Sequence, residues 1–161
     1  MRHTIAVIVN NRPGVLSRVS NLFSRRAFNI ESLAVGTTED ESISRITLVA
    51  SGDETVLEQI IKQLYKLIDV IRVYDLPSAA SVERELALIK VNANSKTRSE
   101  IMQVVDIFRG RIVDVSEESV IVEITGDEGK IIGIERLLDK FGIKELVRTG
   151  KIAMSRSPQE S

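Results

Sequence analysis

The chain has no cysteine among its 161 residues, so disulfides, thiolate nucleophiles and thiolate metal centres are all excluded. Its one histidine, His3, stands ahead of the first strand-like run with no partner nearby in sequence, and reads as a solvated terminal residue. Catalysis or metal binding centred on imidazoles therefore has almost nothing to build on. Neither sign of charge prevails: 22 Lys and Arg against 23 Asp and Glu leave a net charge of −1, with the two signs interleaved. A nucleic-acid footprint, which needs a basic face or tail, is missing. No apolar run approaches the roughly 20 residues of a membrane span, and no signal-peptide hydrophobic region opens the chain, so the expected location is cytoplasmic. What remains, 43% hydrophobic and 28% charged, has the composition of a soluble globular protein, long enough for one ordinary domain or two small ones.

Residues 4–10 are β-branched and apolar on both faces, as in a central strand. Val15, Leu16, Val19, Leu22 and Phe23 then recur at helical spacing opposite Ser17, Arg18, Ser20 and Arg25. That helix is expected to end near Arg26 and Ala27. Strands follow at 30–37 and 42–50 around the polar turn Thr38-Glu39-Asp40-Glu41. Gly52-Asp53-Glu54 opens a second helix on Leu57, Ile60 and Leu64, and 69–76 forms a fourth strand. The order is β-α-β-β-α-β, a split βαβ unit with both helices on one face of an antiparallel sheet.

Pro77 and the small residues after it read as a linker, 77–83, and the same order then recurs. Strands are expected at 86–93, 111–115, 119–125 and 143–148, with helices at 98–108 and 127–141. From Thr149 a short extension runs through Met154. The fold class is α+β: two consecutive ferredoxin-like domains, 1–76 and 84–161, each with a four-stranded antiparallel sheet. Gly126-Asp127-Glu128 repeats Gly52-Asp53-Glu54, and Leu57, Ile60 and Leu64 keep step with Ile131, Ile134 and Leu138. Ile46 and Leu48 likewise match Val120 and Val122. The first loop is not copied: Asn94-Ser95-Lys96-Thr97 stands where Arg12-Pro13-Gly14 would recur.

That uncopied loop, Asn10 to Leu16, is the candidate site. Proline disfavours helical geometry at the residue before it, so Arg12 is expected to be extended and Pro13 to be the first helical residue. The N–H groups of Gly14, Val15 and Leu16 would then lack intrahelical partners and face a small anion, favoured by about 0.3–1 kcal/mol. Asn11 adds an amide for an ammonium group or for the helix end. Together these suit the carboxylate and amine of an amino acid. The same residues also read as a plain strand-to-helix turn capped by Asn11, and both readings stay open at this point. Asn29 is either a left-handed helix end or, with Ile30, the start of a strand that completes a pocket on a neighbouring chain. Arg25, Arg26, Glu31 and Arg45 read as solvated faces.

Two other users of this fold order find no support. An acylphosphatase-like enzyme needs an asparagine on the strand at 42–50, and RNA-recognition modules stack bases on aromatics of the central strands. Residues 42–50 contain no asparagine, and neither 4–10 nor 42–50 contains an aromatic.

With Asn11-Arg12-Pro13-Gly14-Val15-Leu16 in this fold order, the first half resembles the ACT domain, a small amino-acid-sensing module. The longer runs resemble the regulatory (small) subunit of acetohydroxyacid synthase, also called acetolactate synthase. They are Arg12 to Arg18, Leu22-Phe23-Ser24-Arg25-Arg26, Asn29-Ile30-Glu31-Ser32-Leu33, and Val56 to Ile60 with Lys62-Gln63-Leu64. In the second half they are Val82-Glu83-Arg84-Glu85 and Ile107-Phe108-Arg109-Gly110 with Ile112 to Val115. The resemblance implies a subunit with no catalytic or metal-binding residues of its own. It would activate a large catalytic subunit, on which thiamine diphosphate, Mg and FAD are expected, in branched-chain amino-acid synthesis. It also implies feedback inhibition by valine, with leucine or isoleucine as alternatives, bound where two ACT domains pair as a homodimer. The effector-binding residues it implies are Asn11, Gly14, Val15 and Leu16 of one chain with Asn29 and Ile30 of the other. Ala27 departs from the family's glycine, which would cost about 1 kcal/mol if that position were left-handed. The alternative is a stand-alone ACT-type sensor controlling a different metabolic enzyme.

Overall fold

The β-branched run at the start of the chain forms β1 (Arg2–Asn10), and the apolar stripe after it forms α1 (Val15–Arg25). The computed structural model describes residues 1–26 and 28–157; the expected helix end at Ala27 lies outside the described residues. The first unit continues as β2 (Asn29–Thr37), β3 (Ile43–Ser51), α2 (Glu54–Leu64) and β4 (Val70–Asp75). All strand pairs are antiparallel in the order β2-β3-β1-β4. Alternate strand residues (Ile5, Val7, Val9, Ile46, Leu48, Ala50) pack with Val19 and Phe23 of α1 and Ile60 and Leu64 of α2. Both helices therefore cover one face, as period-2 strands and period-3.6 helices require.

The second unit repeats this plan with β5 (Ser81–Asn92), α3 (Arg98–Ile107), β6 (Arg111–Val115), β7 (Ser119–Gly126), α4 (Glu128–Asp139) and β8 (Ile143–Arg148). Its sheet order is β6-β7-β5-β8, and its core joins Ile89, Val91, Val122 and Ile124 to Ile101, Ile131 and Ile134. The repeated Gly-Asp-Glu now has a physical meaning. Asp53 accepts the Val56 N–H at 2.8 Å and Asp127 the Lys130 N–H at 2.9 Å, so each aspartate caps its helix.

Three expectations change. The linker is shorter than expected: a single 3₁₀ turn, Ser78–Ala80, leads straight into β5 at Ser81. The second domain does not run to the end of the chain. It spans Arg84–Gly150, and from Lys151 the chain rejoins the first unit. There β9 (Ile152–Ser155), which pairs with β5, buries Ala153 against Ala6 and Leu76 on the face of the first sheet away from its helices. Small residues on that face leave room for a strand rather than a helix. His3 and Arg45 are the third change. His3 is buried, with Nε2 3.2 Å from the Gly52 carbonyl and its ring tilted on Phe28. Arg45 is half-buried and donates to the Ala153 carbonyl at 2.7 Å.

The β2–β3 turn is built on Asp40. Its carboxylate accepts the Ser42 hydroxyl at 2.7 Å and the Ser42 N–H at 3.0 Å, which hold it below its ordinary pKa of 3.8. A depressed carboxylate pKa stabilises the fold above the ordinary value, and that contribution is lost as pH falls through the folded value. An NMR titration of Asp40 should accordingly show a midpoint below 3.8.

Gly52 has no room for a side chain, since a Cβ there would lie 2.4 Å from the Phe28 ring, whereas one at Gly36 would meet nothing within 4 Å. Gly52→Ala should cost about 1–3 kcal/mol in urea denaturation, and Gly36→Ala less than about 0.5 kcal/mol.

Candidate functional site

The loop after β1 is anchored at both flanks before it turns. The Asn10 N–H donates to the Asp69 carbonyl at 2.9 Å and the Asn11 N–H to the Ser42 carbonyl at 2.8 Å. Arg12 to Val15 then form a turn closed by the Val15 N–H on the Arg12 carbonyl at 3.4 Å. Gly14 has φ 84° and ψ −9°, the values a type II turn demands of its third residue, and Pro13 is preset for the second. The helix therefore begins at Val15 with Gly14 as its N-cap. Pro13 serves the turn and is not the first helical residue, contrary to expectation. An ideal Cβ on Gly14 would come no nearer than 3.5 Å, to Arg18 Nη1. Glycine is needed for its backbone conformation rather than for space.

No side chain caps α1. The first helical bond joins the Arg18 N–H to the Gly14 carbonyl. Among the described residues the N–H groups of Gly14, Leu16 and Ser17 meet no acceptor. Asn11 does not cap the helix either. Its Nδ2 donates to the Glu41 carbonyl at 3.0 Å in the β2–β3 turn, which leaves its Oδ1 as an acceptor. The loop thus offers amide donors and one amide acceptor, a set that suits a carboxylate beside an ammonium group.

The corresponding loop of the second unit satisfies its N-cap amide from within, although no side chain caps α3 and the Ser99 and Glu100 N–H groups likewise meet no acceptor among the described residues. Asn94 Oδ1 accepts the N–H groups of Lys96 and Thr97 at 2.9 and 3.0 Å, and Thr97 Oγ1 accepts the Asn94 N–H at 3.1 Å. A side-chain oxygen there stands where the first loop has none.

A carboxylate with no local sequence signal holds the loop from below. Asp69, its side chain only 11% exposed, receives Arg18 Nη2 at 2.8 Å and has Arg12 Nη1 at 3.6 Å. Two cations around one anion leave a net positive charge at the helix start, which reinforces the helix dipole. Both arginines are more than half exposed, so solvent screens this charge. Asp69 lies at the far end of the unit in sequence, and only the β1–β4 pairing brings it to Asn10.

Of the six residues singled out in the sequence, Asn11, Gly14 and Leu16 come together. Leu16 is partly exposed, whereas Val15 turns its side chain into the core and uses its N–H to close the turn. Asn29 and Ile30 are elsewhere. Asn29 is extended, the first residue of β2, and faces Ser51, which in turn faces Arg2. The loop follows Asn10 at the other end of β1, roughly 26 Å away at 3.3 Å per residue. Within one chain the two groups do not meet.

Among the described residues no group of three or more His, Asp or Glu could hold a metal ion. A family model described as the small subunit of acetolactate synthase matches residues 84–157. Another, described as an AHAS small subunit-like ACT domain, matches residues 5–72. The chain is 58% identical over 156 residues to a protein of Archaeoglobus fulgidus named "Probable acetolactate synthase small subunit", covering 97% of this chain and 98% of that one. To the acetolactate synthase small subunit of Mycobacterium leprae it is 54% identical over 157 residues, covering 98% and 93%. The solved acetolactate synthase small subunit of Thermotoga maritima superposes with a TM-score of 0.91 at 43% identity, over 99% of each chain. Two ferredoxin-like units, an ACT-type first half and matches along nearly the whole length agree: the chain belongs to the family of acetolactate synthase small (regulatory) subunits.

Proposed function

We propose that the chain activates the catalytic subunit of acetolactate synthase and confers feedback inhibition by valine, bound at the loop between β1 and α1. The observation that carries this reading is the contrast between the two equivalent loops. In the second, Asn94 Oδ1 takes the N-cap amide of Thr97, whereas in the first the N-cap amide of Gly14 meets no acceptor among the described residues, beside those of Leu16 and Ser17. A valine carboxylate would take these donors and its ammonium the Asn11 Oδ1. Such a site is worth about 0.3–1 kcal/mol from the dipole alone, and up to about 2 where water is partly excluded.

A second copy of the chain would supply Asn29 and Ile30. β2 and β4 are the outer strands of the first sheet. The β4 edge is blocked in the middle by Tyr65, whose hydroxyl accepts the Val73 N–H at 3.0 Å and donates to the Val73 carbonyl at 3.3 Å. β2 is left as the pairing edge. Antiparallel pairing of two β2 strands about a two-fold axis sets the start of one beside the end of the other. Because the loop lies at the Thr37 end of its own sheet, this brings Asn29 and Ile30 of the second copy towards it. The separation within one chain thus supports a homodimer through the ACT-type units.

The chain works on this reading as a non-catalytic subunit. Thiamine diphosphate, magnesium and FAD would belong to the catalytic partner. Family membership names the client, so control of an unrelated enzyme loses its support. Valine must bind the inhibited state more tightly by about 1–3 kcal/mol to act as a feedback signal.

Three measurements check this. Adding the subunit to its catalytic partner should raise acetolactate formation, and valine should lower it again; no effect of either addition would sink the proposal. Gly14→Asp keeps a residue that tolerates left-handed geometry at a cost of about 1 kcal/mol but sets a carboxylate against the ligand's own. Calorimetry should show valine affinity at least tenfold weaker, and unchanged affinity would remove the loop from the site. Asn29→His should also desensitise the holoenzyme, and wild-type inhibition would rule out the two-chain pocket.

A further inference from the structure

The C-terminal return is held by polar contacts that the effector loop does not explain. The Lys151 N–H donates to Ser32 Oγ at 2.8 Å, and the Arg156 N–H to the Ala80 carbonyl at 2.8 Å. Arg45 Nη2 donates to the Ala153 carbonyl at 2.7 Å. Lys151 Nζ lies 3.2 Å from Glu83 Oε2, with side chains only 8% and 13% exposed. Ser32, Arg45, Glu83 and Lys151 all belong to the first unit.

Two features of this arrangement point beyond packing. Glu83 and Lys151 are the residues at which the chain leaves for the second unit and returns from it. Separating a buried ion pair strands a charge without its partner, so the two crossings are bound to move together. Ser32 is two residues beyond Ile30 on β2, past a shift in register that leaves Glu31 as the extra residue. Glu31 is tied to Arg2 Nε at 2.6 Å. A bulge lets one stretch of strand re-aim without breaking the ladder on either side. Asn29 and Ile30 thus lie on one side of a bulge, and the anchor of the returning chain on the other.

We infer that Ser32 is a positioning residue that passes effector occupancy at Asn29 and Ile30, through Lys151 and Glu83, to both chain crossings into the second unit. The inference rests on the amino-acid-binding reading of β2 and adds the route by which binding is felt. Ligand contact at Asn29–Ile30 shifts the bulge, Ser32 carries the Lys151 amide with it, and the Lys151–Glu83 pair displaces the two crossings as one.

The test compares wild type, Ser32→Ala and Ser32→Thr, each reconstituted with the catalytic subunit, by valine calorimetry and by acetolactate formation under valine titration. Ser32→Ala should keep the basal activated rate and bind valine within about twofold of wild type. Its inhibition by bound valine should weaken about fivefold, the worth of one neutral hydrogen bond. Ser32→Thr, which keeps the hydroxyl, should restore inhibition. Wild-type inhibition in Ser32→Ala, or loss of binding and inhibition together, would overturn the link. Failure of the wild type to bind valine is seen before any variant is compared; it would remove the amino-acid reading and the link with it.

Discussion

A helix start leaves backbone N–H groups that the helix itself cannot satisfy, and the amide just ahead of that start is met differently in the two halves of the chain. In the second unit Asn94 Oδ1 accepts the Lys96 and Thr97 amides just ahead of α3. In the first, Gly14 turns the chain with φ 84° and contributes no side chain. The two loops sit at equivalent places in equivalent folds, so the difference is chemical rather than architectural. One loop carries an acceptor for its N-cap amide, and among the described residues the other carries none.

Much of the first unit can be understood as holding that open loop still. Asn10 and Asn11 are pinned by the Asp69 and Ser42 carbonyls, and the turn that presents Ser42 and Glu41 is itself tied by Asp40. Asp69 gathers Arg12 and Arg18 beneath the loop. None of these contacts is strong alone, and the exposed arginines are screened. Together they restrict the backbone, which matters because a ligand gains little from donors that must first be ordered. The same unit manages its edges unequally, with Tyr65 closing β4 and β2 left to pair.

The C-terminal return revises the picture of two beads in series. The chain leaves the first unit at Glu83 and comes back at Lys151, so the second unit is an insertion within the first. A buried Lys–Glu pair at that junction is costly to open.

Local physics alone determined a great deal here. β-branched runs, helical stripes and the repeated Gly-Asp-Glu cap each act within a few residues, so element order, fold class, duplication and the loop from Asn10 to Leu16 were legible in the sequence. Gly14 also stood out there, although its role as a left-handed N-cap did not, since a proline-glycine pair suits either a helix start or a type II turn. Tertiary structure alone decided the remainder. Asp69 reaches Asn10 only through the β1–β4 register, and His3 is buried only because β1 brings it to Gly52 and Phe28. Arg45, which reads as a surface charge, finds the Ala153 carbonyl only once the chain has returned from Gly150. These contacts join residues tens of positions apart, and no periodicity encodes them. The sequence marks where a ligand could bind; the long-range pairing decides what holds that place open and what is tied to it.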